Sequence, residues 1–131
     1  MQKNSMNERK ILIIDDDMSY LSLCVDYFHE QGYKVCTAIN AQIGWELFQA
    51  NSDTFSAILT DHNMPEMKGA EFVSLLRENK FNIPIVMMSG DLRSVDYDFN
   101  SDKMTIALSK PLRLSALDEI FSKLTHMPLP E

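Results

Sequence analysis

The chain has 131 residues, 45% of them hydrophobic and 24% charged, with a formal net charge of −7. That composition excludes a wholly disordered chain and suffices for one domain with its own core. The acidic balance argues against nucleic-acid binding by phosphate neutralisation and against adhesion to an anionic membrane, and no apolar run reaches the ~18 residues of a membrane span.

Residues 1–9 read as a flexible tail, polar and without an apolar signal core, so a cytoplasmic location is expected. Ile11, Leu12, Ile13 and Ile14 form a continuous apolar run that stops at Asp15, Asp16 and Asp17. Such a run marks a strand buried on both faces of a parallel sheet. From Ser19 the period becomes helical, with Leu21, Val25 and Phe28 on one face and Cys24 beside them, until Gly32 supplies a stop. Tyr33 to Ala38 is a second strand, less uniformly apolar and placed at an edge. Ile43, Leu47 and Trp45/Phe48 predict a second helix from about Asn40, which Gly44 weakens.

Phe55 to Thr60 is the third strand and ends on Asp61. Ala70 to Asn79 is the third helix, with Phe72, Val73 and Leu76 inward. Ile83 to Met88 is the fourth strand, with Pro84 at its start and Met87 and Met88 on opposite faces. Asp91 to Lys103 predicts only a short or irregular helix. Thr105 to Leu108 is the fifth strand. Leu114, Leu117, Ile120/Phe121 and Leu124 mark a last helix, capped by Ser115 or entered just before it. Residues 10–125 form the domain and 126–131 a C-terminal tail. Cys24 and Cys36 lack metal-ligand spacing and read as reduced, buried thiols.

Strict alternation of five strands with helices predicts an α/β, doubly wound, five-stranded parallel sheet. Ligands of such folds gather beyond the carboxyl ends of the strands. Those ends carry Asp15-Asp16-Asp17, Asp61, Ser89-Gly90 and Lys110-Pro111. If the first and third strands are neighbours, three aspartates crowd one pocket, and a hard cation such as Mg²⁺ relieves their repulsion. An aspartate there can attack phosphorus, while Lys110 and Ser89 contact phosphoryl oxygens. Taken singly, each feature is also an ordinary turn, cap or surface charge; together, at the same ends of one sheet, they make a site. His62 reads as a surface or loop side chain and Trp45 as helix packing.

The run Ile11 to Asp17 and the segment Ile58-Leu59-Thr60-Asp61-His62-Asn63-Met64-Pro65-Glu66-Met67-Lys68-Gly69, followed by Ser89 and Lys110-Pro111, resembles the receiver domain of two-component response regulators, including the stand-alone chemotaxis and sporulation regulators. The resemblance spans about residues 10–125. It implies a flavodoxin-like (β/α)5 fold with strand order 2-1-3-4-5. It implies Asp61 as phosphoacceptor, with Lys110 and Ser89 acting on the phosphoryl group. Asp15, Asp16, Asp61 and the Asn63 backbone carbonyl would hold Mg²⁺, with Mn²⁺ as an alternative. It also implies a cis peptide before Pro111.

The implied partners are a sensor histidine kinase or a histidine phosphotransfer protein, then a downstream protein or an output domain outside this chain. Neither nucleic acid nor membrane is expected to be bound directly. A phosphorylation-dependent dimer is a further expectation to test. Enzymatic activity reduces to self-phosphorylation from small donors and slow self-dephosphorylation. Lys68, Gly90 and Ala107 stand where the family usually has Asp, Ala and an aromatic. The competing readings are a receiver-like interaction module that is never phosphorylated and a small aspartyl phosphatase. The phosphatase is disfavoured by Asn63, which leaves no titratable carboxylate two residues after Asp61.

Overall fold

The computed structural model describes residues 9–125. Strands β1 (Arg9–Ile14), β2 (Tyr33–Ala38), β3 (Ala57–Asp61), β4 (Ile85–Ser89) and β5 (Thr105–Ser109) form one sheet in the order β2-β1-β3-β4-β5. Every pairing is parallel. Helices α1 (Met18–Glu30), α2 (Ala41–Ala50), α3 (Gly69–Glu78) and α4 (Leu114–Thr125) follow β1, β2, β3 and β5, so the expected strict alternation is broken only between β4 and β5. This is the expected flavodoxin-like fold, with β2 at an edge.

The apolar runs are buried on both faces because helices cover both. Leu12, Ile14, Ile58 and Met87 pack with Phe48 of α2 and Phe72 and Leu76 of α3. Ile11, Ile13, Leu59 and Met88 pack with Phe28 of α1 and Leu117 of α4. Met87 and Met88 thus face opposite ways, as the pleat requires.

Side-chain oxygens start two of the helices. Asp17 accepts from the N–H groups of Ser19 and Tyr20 and caps α1, and Asn40 accepts from Ile43 and caps α2. After α1, Gly32 takes a φ of 93°, which a side chain would strain.

Several helix faces differ from expectation. Cys24, not Val25, lies in the α1 seam with Leu21 and Phe28. On α2 the buried residues are Ala41, Gly44 and Phe48, while Ile43 and Leu47 are 36% and 37% exposed. The reason is close approach. A Cβ on Gly44 would stand 2.5 Å from Cδ1 of Ile14, so the smallest side chains take the contact and the branched ones turn outward. Trp45 packs edge-on against Phe81, as helix packing predicts. Cys24 and Cys36 are free thiols, but only Cys24 is fully buried. Burial pushes the Cys24 thiol up to about 11.

Between β4 and β5 the described residues form no α-helix. Two single 3-10 turns, Leu92–Ser94 and Phe99–Ser101, stand there instead. Helix α4 is entered at Leu114, just before Ser115, the second of the two expected entries. The expected tails at 1–9 and 126–131 lie outside the described residues except for Arg9, which opens β1, and so do the side chains of Phe121 and Leu124. No helix among the described residues is long and apolar enough to cross a membrane.

Candidate functional site

Strand register builds the site. Ile14 pairs with Thr60, so the next residues, Asp15 just past β1 and Asp61 at the end of β3, stand side by side. Asp61 pairs with Met88, which brings Ser89 one step beyond it, and Ser89 pairs with Ser109, which brings up Lys110. The Lys110-Pro111 peptide is cis.

Asp15 and Asp61 are both buried, and Asp16 is exposed at the mouth. Lys110 Nζ donates to Asp15 Oδ2 at 3.1 Å and stands 3.5 Å from Asp61 Oδ1. One ammonium therefore serves two carboxylates. Backbone N–H groups assist it: Asp17 donates to Asp15 Oδ1 at 2.9 Å and Asn63 to Asp61 Oδ1 at 3.3 Å. Carboxylate oxygens of Asp15, Asp16 and Asp61 lie within 4.8 Å of one another, a donor set able to hold a divalent cation.

The charges are unbalanced. Burial first, then the neighbouring Asp15, raises the Asp61 carboxyl above its ordinary value, and Lys110 and the Asn63 N–H only partly offset this. Burial alone would lower the Lys110 ammonium, but its bonds and charge contacts with Asp15 and Asp61 outweigh that and raise it. A second positive charge fits this cluster on the chemistry of its donors.

Ser89 is fully buried. Its hydroxyl lies 2.9 Å from both Asn63 Oδ1 and the Asp91 carbonyl, and accepts from the Asp91 N–H at 3.1 Å. Asn63 itself is exposed. Asp17, the third of the aspartate run, is spent on capping α1.

Two residues escaped sequence reasoning. Tyr20 of α1 lays its ring 5.5 Å from Lys110 Nζ and donates its hydroxyl to Met88 Sδ at 3.4 Å. Burial, then Cys24, raises its phenol beyond the ordinary range, so it remains protonated. Nothing in its spacing marks it apart from other aromatics. His62 is the other. It is 4% exposed rather than a surface side chain, and its Nδ1 accepts from the Ala70 N–H at 3.2 Å. The signal for it was the lysine at position 68, which leaves α3 without an oxygen-bearing cap of its own.

This chain belongs to the response regulator receiver domain family, whose model matches residues 11–122. The aspartate cluster occupies the place of that family's phosphoacceptor and metal site. Among curated proteins, the 3',5'-cyclic-nucleotide phosphodiesterase regA of Dictyostelium discoideum is 27% identical over 114 residues, covering 82% of this chain and 14% of its own length. Response regulator SaeR of Staphylococcus aureus is 29% identical over 86 residues, covering 66% of this chain and 36% of its own. The chain thus spans a minor part of either relative.

Among solved structures, a response regulator receiver domain protein from Clostridium thermocellum superposes with a TM-score of 0.81 at 22% identity, over 89% of this chain and 94% of that one. A CheY-like receiver domain protein from Methanospirillum hungatei gives 0.73 at 26% identity, over 88% and 93%.

Proposed function

We propose that Asp61 accepts a phosphoryl group from a phosphohistidine and that the domain signals by changing conformation. The observation that carries this reading is the pair of buried carboxylates, Asp15 and Asp61, sharing the single ammonium of Lys110. A merely structural cluster would be charge-balanced. The donor is a sensor histidine kinase or a histidine phosphotransfer protein, and the recipient of the signal is a downstream protein or an output domain.

Asp15, Asp16, Asp61 and the Asn63 carbonyl would hold Mg²⁺, or Mn²⁺. Such an ion supplies positive charge for the phosphoryl oxygens and removes the repulsion among the aspartates. An Asp61 oxygen attacks phosphorus in line. The O–P bond forms as the N–P bond of the phosphohistidine breaks, and the imidazole leaves with the electron pair.

Lys110 is already 3.5 Å from the attacking group and turns its charge to a phosphoryl oxygen. Ser89 exchanges Asn63 and Asp91 for the new acceptor oxygens. That exchange loosens the segment after β4 and biases an existing equilibrium. Water slowly cleaves the acyl phosphate. A phosphorylation-dependent dimer follows if the loosened segment lies at a contact between copies.

Partner binding without phosphorylation is the second reading. Ala107 and the missing helix between β4 and β5 favour it, since both alter the face that would report the switch.

The experiment is incubation with acetyl phosphate and Mg²⁺, read by intact mass. Wild type gains one hydroxylamine-labile phosphoryl group, and neither wild type in EDTA nor Asp61→Ala gains it. Full labelling of Asp61→Ala would defeat the assignment, and an unlabelled wild type would favour the second reading.

A further inference from the structure

Helix α3 starts immediately after the phosphoacceptor loop, and its start differs from those of α1 and α2. Each of those is capped by the side-chain oxygen of its own N-cap residue, Asp17 or Asn40. The N-cap of α3 is Lys68, which bears no acceptor; it donates its N–H to Glu71 Oε1 at 2.9 Å, and that is all the local sequence supplies. The first N–H groups of the helix must find acceptors elsewhere.

Both of the first two end on His62. Gly69 N–H donates to the His62 carbonyl at 3.0 Å, and Ala70 N–H donates to the imidazole Nδ1 at 3.2 Å. Ala70 is the second helical residue, the very position that a serine or aspartate N-cap serves in an ordinary helix. The His62 carbonyl also accepts from Met64 at 3.0 Å, and the His62 N–H donates to Met88 of β4 at 2.8 Å.

We propose that His62 is a positioning residue for phosphoryl transfer. Its imidazole caps α3 from six residues upstream and so fixes the backbone that presents Asp61 and Asn63. The inference rests on the phosphoacceptor reading above and extends it to a side chain that touches neither metal nor phosphoryl group.

Three observations tie the cap to the site. His62 lies between Asp61 and Asn63 in the chain, so it cannot shift without moving both. The Asn63 N–H donates to Asp61, and the Asn63 side chain meets Ser89. The helix also presses directly on the loop: a Cβ at Gly69 would stand 2.6 Å from the Asp61 carbonyl oxygen and 2.8 Å from His62 Cα. Glycine permits that approach, and the imidazole holds it. A histidine that was only core filler could present either nitrogen, or none, to α3.

The test uses the full chain, wild type and two variants. His62→Leu substitutes an apolar side chain of similar bulk and removes the acceptor. His62→Asn places an oxygen on the same side-chain branch as Nδ1 and restores it. Readouts are Mg²⁺ affinity and the rate of acyl-phosphate formation from acetyl phosphate, with ¹⁵N coupling across the Ala70–His62 hydrogen bond measured in wild type. His62→Leu should lose about tenfold in both affinity and rate, as residues supporting a metal site do when removed. His62→Asn should recover most of it, and wild type should show the coupling.

Equal behaviour of His62→Leu and wild type overturns the proposal. So does His62→Asn that folds but is no better than His62→Leu, or an absent coupling. If His62→Leu does not fold, His62→Asn decides alone: near-wild-type affinity and rate support the cap, and a tenfold loss overturns it. A wild type that shows the coupling but neither binds Mg²⁺ nor takes phosphate would overturn the phosphoacceptor reading while leaving the cap in place.

Discussion

Two carboxylate clusters sit at opposite ends of this sheet, and they are built on different principles. Beyond the carboxyl ends of the strands, Asp15 and Asp61 share one lysine, and the Asp61 carboxyl is raised. Near the amino end of β5, Asp102 has donors to spare. Arg77 Nε donates to it at 2.9 Å, Thr105 at 2.7 Å and Met104 N–H at 3.1 Å, and the Tyr97 hydroxyl donates to it as well. Arg77 engages all three of its side-chain nitrogens, donating also from Nη1 to the Phe81 carbonyl and from Nη2 to Thr105. Burial raises the Asp102 carboxyl, but Arg77, Thr105 and Tyr97 outweigh it and hold it below the ordinary range. Burial and then Asp102 push the Tyr97 phenol up to about 12.

The contrast separates work from architecture. The Asp102 cluster is complete, and its task is to pin the helix-free segment between β4 and β5 onto α3. The Asp15–Asp61 cluster has one positive charge for two buried carboxylates, and that deficit is what a cation can fill.

The largest way to break the comparison is Asp102→Ala. Arg77 and Asp102 are only 16% and 12% exposed, so removing one partner strands the other. A stability loss of about 3 kcal/mol in urea unfolding is expected, with Mg²⁺ affinity unchanged. Gly69→Ala should follow at about 2 kcal/mol, because its methyl meets backbone that cannot yield; unlike Asp102→Ala, it should also weaken Mg²⁺ binding. Asp61→Asn should go the other way, gaining about 1 kcal/mol at pH 7 without divalent ions, since it removes a buried and under-compensated charge.

The pH dependence sharpens the same point. Asp102 has a lowered folded value, so its contribution is present above the ordinary carboxyl range and is lost as pH falls through that lowered value. Asp61 has a raised folded value, so its ionisation subtracts stability, starting as pH rises through the ordinary range and complete above the raised value. Urea midpoints of wild type and Asp61→Asn should therefore converge as pH falls below the ordinary carboxyl range.

The strands and the site were legible because both depend on local runs: apolar stretches ending on Asp15, Asp61, Ser89 and Lys110. What was not legible depended on contacts across the fold. Periodicity points the large apolar residues of a helix inward, yet α2 turns Ile43 and Leu47 outward because Ile14 leaves room only for Gly44. His62 looked like a loop side chain because its partner, Ala70, lies eight residues on. The segment from Asp91 to Lys103, expected as a short or irregular helix, is reduced to two 3-10 turns for a local reason. Asp91 and Asp98 accept from the N–H groups of Arg93 and Ser101, which favours single turns over a continuing helix.

The central claim, that the strand-end cluster lacks a positive charge which a divalent cation supplies at Asp61, is tested most directly by urea unfolding of wild type and Asp61→Asn across a Mg²⁺ titration. Wild type should start less stable and gain steadily with Mg²⁺, while Asp61→Asn starts higher and gains little. Equal stabilisation of both proteins by Mg²⁺, or none of wild type, would contradict it.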